Sequence, residues 1–217
     1  TQVTARGFAH LKALPRLEDV SLDSRTITDA ADLAKLVDAL PRLTWLNLGG
    51  SQITDAGLVH VKSLTGLHHL TLGETQITDA GLANIGSLTE LQYLRLGKTR
   101  ITDAGLERLK GLPKLWALGL ERTQITDAGL EHLQGLKGLR KLYLDDTRIG
   151  DVGLEHLQGL TELTALYVPG TQITDAGLQH LQSLTKLSDL SLVGTGITDA
   201  GLKHLRGLTS LRGLALL

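Results

Sequence analysis

Glu121 and Asp145 stand 24 residues apart in a chain whose local pattern recurs every 24 residues. On neighbouring elements of such an array, two carboxylates could approach the ~5 Å separation a retaining glycosidase uses. No surrounding motif fixes one as acid and the other as nucleophile. The adjoining series Glu74, Lys98, Arg122, Asp146 reads with less machinery as a solvated ladder of ion pairs, worth ~0–1 kcal/mol per exposed pair. Glu121, Asp145 and Asp146 also form a loose oxygen set for a hard cation. Six histidines, His10, His60, His132, His156, His180 and His204, recur along helical segments. Neighbouring helices pack ~8–10 Å apart, too far for two such rings to share one zinc, which needs about four ligands. His68 adjoins His69, but successive side chains on a strand diverge. Gly49-Gly50 is too short to cradle phosphate, and no Walker loop, GxGxxG or GxSxG occurs. The expectation is a protein with no catalytic residue, no metal and no cofactor.

Composition narrows the class further. The 217 residues carry 22 Lys+Arg against 23 Asp+Glu, a net charge of −1, which argues against nucleic acid as partner. The absence of cysteine removes disulfides and thiolate chemistry without setting the compartment. No apolar run approaches the roughly 18 residues that span a bilayer, so membrane insertion is not expected. The start TQVTARGFAH lacks a signal-peptide shape, and there is no Met; the chain reads as a segment cut from a longer one. Aromatics make up only 3% of it, few for an ordinary core.

The elements that would position these side chains follow from the repeat. ITDAG begins at Ile53, Ile77, Ile101, Ile125, Ile173 and Ile197, with IGDVG at Ile149 and ITDAA at Ile27. The step is 24 residues except for 26 between Ile27 and Ile53, and Val3 extends the series backwards. Between the anchors runs LxxLxL, from Leu17-Val20-Leu22 to Leu211-Leu214-Leu216. Its alternation predicts a short strand with one buried face. The three-residue spacing of Leu130, Leu133 and Leu136 predicts a helix, with Thr126 as N-cap and Asp127 against the helix dipole. Gly129 would let a neighbouring turn approach closely. Nine strand units and nine helical ones then stack into a single domain over residues 1–217, the 26-residue unit being irregular, and bury a continuous leucine layer. That thin layer explains the scarcity of rings.

LxxLxL followed by Ser51, Thr75, Thr99, Thr123, Thr147, Thr171 and Thr195 resembles the leucine-rich repeat family. Thr or Ser stands where Asn or Cys is usual, and Arg25 stands there in the first copy. The ITDAGL wording is similar to bacterial members. The resemblance implies an α/β fold, a right-handed horseshoe solenoid with parallel strands on the concave face and helices on the convex one, and protein binding as the common task. The Thr hydroxyls would replace the Asn amides as a ladder for loop backbone. Glu18, Asp19 and Asp23 charge the first edge strand, whereas LRGLALL ends the chain apolar and uncapped. Either further repeats follow, or residues 211–217 associate end to end with another copy.

The copies disagree most on the strands. Outward positions read Asp19, Trp45, His69, Tyr93, Ala117, Lys141, Ala165, Asp189, Gly213, beside Ser21, Asn47, Thr71, Arg95, Gly119, Tyr143, Tyr167, Ser191, Ala215. With strands ~4.8 Å apart, Trp45, His69 and Tyr93 should stack in a row with Arg95 beside them. A second cluster is Lys141, Tyr143 and Tyr167, flanked by Glu121, Asp145 and Asp189. Ala117 and Gly119 form a low spot between, and Trp116 stands alongside. Aromatics and Arg are enriched at binding hot spots, so the expected partner-binding residues are Trp45, His69, Tyr93, Arg95, Lys141, Tyr143, Tyr167 and Asp189. The partner would be a protein or peptide, with carbohydrate open because rings also suit sugars. Cross-strand pairs that only stabilise the sheet are the plainer reading. The alternatives are a structural spacer, a designed consensus-like array, or the sensor arm of a signalling protein.

Overall fold

The computed structural model describes residues 4–22, 27 and 29–217; Val3, Asp23 and Arg25, singled out above, lie outside them. The spine is one parallel sheet of nine strands in chain order. They are β1 (Asp19–Ser21), β2 (Trp45–Asn47), β3 (His69–Thr71), β4 (Tyr93–Arg95), β5 (Ala117–Gly119), β6 (Lys141–Tyr143), β7 (Ala165–Tyr167), β8 (Asp189–Ser191) and β9 (Gly213–Ala215). Each strand is three residues long, and from β1 to β8 its middle residue is buried. The register pairs Trp45 with His69, His69 with Tyr93, and so on to Gly213, as the repeat phase dictates. The sheet is open, and helical segments return the chain behind it.

These returns are tighter than the expected helices. True α-helix occurs at α1 (Ala30–Ala39), α2 (Asp55–Val61), α3 (Asp79–Leu82), α4 (Asp103–Leu106), α5 (Asp127–Leu130) and α6 (Asp151–Leu157). The segments Ala5–Ala13, Glu107–Gly111, Glu131–Leu133, Gly177–Leu181 and Leu202–Leu205 are 3-10 helix. Leu130, Leu133 and Leu136 are three apart, which suits three residues per turn. Yet Leu58, Val61 and Leu64 at α2 and Leu154, Leu157 and Leu160 at α6 have the same spacing on α-helix, so spacing does not by itself set the split. Leu33, Leu36, Val37 and Leu40, all buried, follow the three-four alternation of a 3.6-residue period. The two extra residues of the irregular unit thus accommodate the longest α-helix.

The leucine layer is continuous from Ala5 to Leu208. Its one phenylalanine, Phe8, is 1% exposed in the N-terminal 3-10 segment, which packs on α1. At the other end Leu214 and Leu216 are exposed. Among the described residues, no helix is long and apolar enough to cross a membrane.

The ITDAG threonines and aspartates work between coils. Asp103 Oδ1 accepts the Thr126 backbone N–H at 2.8 Å, and its Oδ2 accepts the Thr126 hydroxyl at 2.6 Å. The same pairing joins Asp55 to Thr78, Asp79 to Thr102, Asp151 to Thr174 and Asp175 to Thr198. Thr126 stands at the N-cap position without capping its own helix, whereas Thr78, Thr174 and Thr198 give the same proton to the preceding coil and also accept the N–H two residues on, at 3.3, 3.4 and 3.2 Å. The second row of threonines also departs from expectation. Thr75, Thr99, Thr123, Thr147, Thr171 and Thr195 each donate to the carbonyl three residues back in their own coil, at 2.6–2.7 Å. They close turns individually rather than forming a ladder, because a hydroxyl has one proton to give. Ser51, the copy without the methyl, has a buried Oγ with no partner.

Candidate functional site on the open sheet face

Small or flat residues on adjacent strands let rings lie against one another. His69 and Tyr93 stack at 5.6 Å between centroids and 13° between planes. Tyr93 continues to Trp116 at 6.2 Å, tilted by 60°. Lys141 Nζ stands 5.9 Å over the Trp116 ring, within cation–π range. Trp116 is thus a missed member of the first cluster, lying just before β5 and filling the room above the fully buried Ala117. Trp45 is in register with His69, but the ring contacts of the described residues do not include it. Tyr143 and Tyr167 stack at 4.9 Å and 3°. Burial pushes the Tyr143 hydroxyl up, with the neighbouring Tyr167 adding to it. All six rings or acids among the expected residues are half-buried, while Arg95 and Lys141 are exposed.

Arg95 is not the free anchor its type suggested. Its Nε and its Nη2 both donate to Glu121 Oε1 at 2.7 Å, and Glu121 raises the guanidinium above its ordinary value. The pair lies across two glycines. A Cβ on Gly97 would run into the Glu121 carboxyl, and one on Gly119 would stand 2.8 Å from Glu121 Oε2 and 3.1 Å from Arg95 Cγ. The expected low spot at Ala117 and Gly119 is therefore covered, by Trp116 over one and by the ion pair over the other. Asp189 is likewise engaged, accepting the Ser188 hydroxyl at 2.6 Å, and it stands two strands away from Lys141 in register.

Beyond the strand ends runs a groove of about 570 Å³, lined by Asn47, Arg95, Lys98, Glu121, Asp145 and Pro169 among others. Its rim is the series Glu74, Lys98, Arg122, Asp146, whose φ angles are 61°, 57°, 54° and 52°. Left-handed backbone costs a side-chain-bearing residue ~1–2 kcal/mol. The equivalent positions in other coils are Gly50, Gly170 and Gly194, at 72°, 67° and 68°. Those glycines were a readable signal that the position is left-handed. Lys98 Nζ reaches Glu74 Oε1 at 2.6 Å and Arg122 Nε reaches Asp146 Oδ2 at 2.8 Å, as the ion-pair reading expects. Lys98, by hydrogen bond first and charge second, holds Glu74 below its ordinary value.

Asp145 makes no ion pair of this kind among the described residues. Burial lifts its carboxyl above the usual range, and Glu121 and Asp146 lift it further; its own backbone N–H and Arg122 oppose this in part. Among the described residues no three of His, Asp or Glu gather closely enough to hold a metal ion. Two of the six helical histidines pair with glutamines of the preceding coil, His156 Nδ1 with Gln134 Nε2 at 3.0 Å and His180 Nδ1 with Gln158 Nε2 at 2.6 Å.

Comparison with known proteins agrees with this geometry. Residues 87–110 match a family model described as Leucine Rich repeat. No curated protein matches the chain. Among solved structures, internalin C2 of Listeria monocytogenes is 26% identical with a TM-score of 0.80, covering 98% of this chain and 92% of its own. A leucine-rich repeat protein of Leptospira interrogans is 21% identical with a TM-score of 0.75, over 96% of this chain and 51% of its own. TLR13, solved in complex with ssRNA13, is 21% identical with a TM-score of 0.68, over 99% of this chain and 30% of its own. The last two likenesses concern the fold alone.

Proposed function

We propose that this chain, a leucine-rich repeat protein by its solenoid and by the match of residues 87–110, is a non-enzymatic scaffold that binds a protein or peptide on its concave sheet. Residues 1–217 act as one domain in this reading. The observation that carries it is where the rings are. The core uses Phe8, while two ring stacks, His69–Tyr93–Trp116 and Tyr143–Tyr167, lie on the open face. Half-buried aromatics on a rigid sheet present large contact area at little entropic cost, the usual make-up of an interface hot spot. Glu121 is tied to Arg95 and so is not a free acid beside Asp145. Equal numbers of acids and bases near the rim, and a net charge of −1, favour protein over nucleic acid.

The test is partner capture by the wild type and by a Trp45→Ala, Tyr143→Ala, Tyr167→Ala triple variant. Arg95 is left in place because removing it would strand Glu121. The variant should lose the partner while melting within a few degrees of wild type. Undiminished capture would refute the concave-face reading. A glycan array run with both proteins separates sugar binding from protein binding.

A further inference from the structure

Strand β6 and the turn that follows it present two charges, Lys141 and Asp145, that make no ion pair among the described residues. Lys141 opens the strand, between Ala117 and Ala165 in register, both buried and without charge. Its ammonium has only the Trp116 ring beneath it. Asp145 follows four residues later. One neighbour in its column, Glu121, is a carboxylate already bound to Arg95, and the other is Pro169. The adjacent Asp146 occupies Arg122. Between the two charges stands Tyr143, stacked on Tyr167. Other charges on this face have partners: Asp189 the Ser188 hydroxyl, Asp19 the Thr44 hydroxyl at 3.2 Å, and Arg95 the Oε1 of Glu121, whose Oε2 is buried without a hydrogen bond.

Residues 141, 143 and 145 alternate in phase and so face the same way. Strand β6 ends at Tyr143 and Asp145 stands in the turn after it, where its carbonyl still accepts the Arg122 N–H of the neighbouring coil at 2.7 Å; a fully extended run of that length spans about 13 Å. An extended peptide has the same period, so its side chains at i, i+2 and i+4 match these three positions. We propose that the partner docks along β6 as an extended segment with an acidic side chain over Lys141, an apolar side chain against the Tyr143–Tyr167 stack and a basic side chain at Asp145. This rests on the concave-face reading above and specifies the partner's chemistry. Either chain direction satisfies it; what matters is one acid and one base four residues apart. The elevated carboxyl of Asp145 fits the assignment, since an arriving cation would relieve the burial and repulsion that raise it. Both charges lie outside the leucine layer, so they can be exchanged without touching the core.

The experiment selects a displayed library of random nine-residue peptides on the wild type, on Lys141→Glu and on Asp145→Lys, after melts show that all three fold. Lys141→Gln and Asp145→Ser serve where a reversed charge lowers folding. Wild type should enrich peptides with an acid and a base four apart and an apolar residue midway, at least tenfold over like-charged spacings. Lys141→Glu should shift the enriched class to two bases, and Asp145→Lys to two acids. The neutral variants should lose the preference at one position only. Enrichment without a spaced charge pair, a preference unchanged by the exchanges, or no enrichment at all overturns the assignment. Partner capture lost in the triple variant but indifferent to these exchanges would leave the concave-face reading standing and this one refuted.

Discussion

Asp103 occupies the space that a side chain on Gly129 would need. Its carboxylate reaches from one coil into the next to hold Thr126 by two hydrogen bonds, and a Cβ on Gly129 would collide with Oδ1. Thr, Asp and Gly of ITDAG are thus one joint seen from three residues. The pattern of departures agrees. Ala31 stands in the glycine position where the preceding coil has Ala5 instead of Asp.

Gly129→Ala should destabilise the protein by ~1–3 kcal/mol through overpacking. In an Asp103→Ala background the same change should cost much less, because the obstructing oxygen is gone. Asp103→Ala alone should cost ~1.5–3 kcal/mol for hydrogen bonds to a charged acceptor. Urea melts of the four proteins measure the coupling. Additive costs would mean that Gly129 is not there for Asp103.

Gly150→Thr should stabilise. This copy reads IGDVG, and Asp127 Oδ1 accepts the Gly150 N–H at 2.6 Å while no hydroxyl stands at its other oxygen. Gly150 has φ −122° and ψ −159°, close to the −119° and −178° of Thr126. A Cβ there would meet Asp127 Oδ2 at 3.5 Å and nothing nearer. The gain is one hydrogen bond, about 0.5–1.5 kcal/mol, together with a less flexible unfolded chain. A lower melting temperature would show that this coil is set differently from its neighbours.

Asp145→Asn and Asp175→Asn should respond to pH in opposite senses. Asp145 has a raised carboxyl in the fold, so its favourable contribution is complete below the unfolded value near 3.9 and is lost as pH rises through the folded value. At pH 7 Asp145→Asn should melt level with wild type or slightly above it, by less than about 1 kcal/mol given the solvent around it, and the margin should vanish in acid. Asp175 is held below its ordinary value by the Thr198 hydroxyl and then its N–H. Its contribution is present above the unfolded value and lost as pH falls through the folded one, so Asp175→Asn should destabilise at pH 7 and cease to matter in acid. Thermal melts between pH 2.5 and about 7 read both. Parallel curves would refute the assignment.

The sequence by itself determined the solenoid, because a 24-residue phase with LxxLxL admits only one way to bury every leucine: identical coils stacked in register. That register already placed Trp45, His69, Tyr93 and Lys141 on one face. Tertiary structure decided what those side chains do there. Arg95 and Glu121 differ by 26 positions and meet diagonally across Gly97 and Gly119, a contact no column of like phase reveals. Trp116 leans into the gap above Ala117, and Thr126 gives its proton to Asp103 of the previous coil. The 3-10 returns were not legible, because the same spacing of three occurs on the α-helices α2 and α6. Periodicity states which face a residue occupies. It carries no information on which neighbour a flexible side chain will reach, and that reach left Lys141 and Asp145 without an ion pair among the described residues.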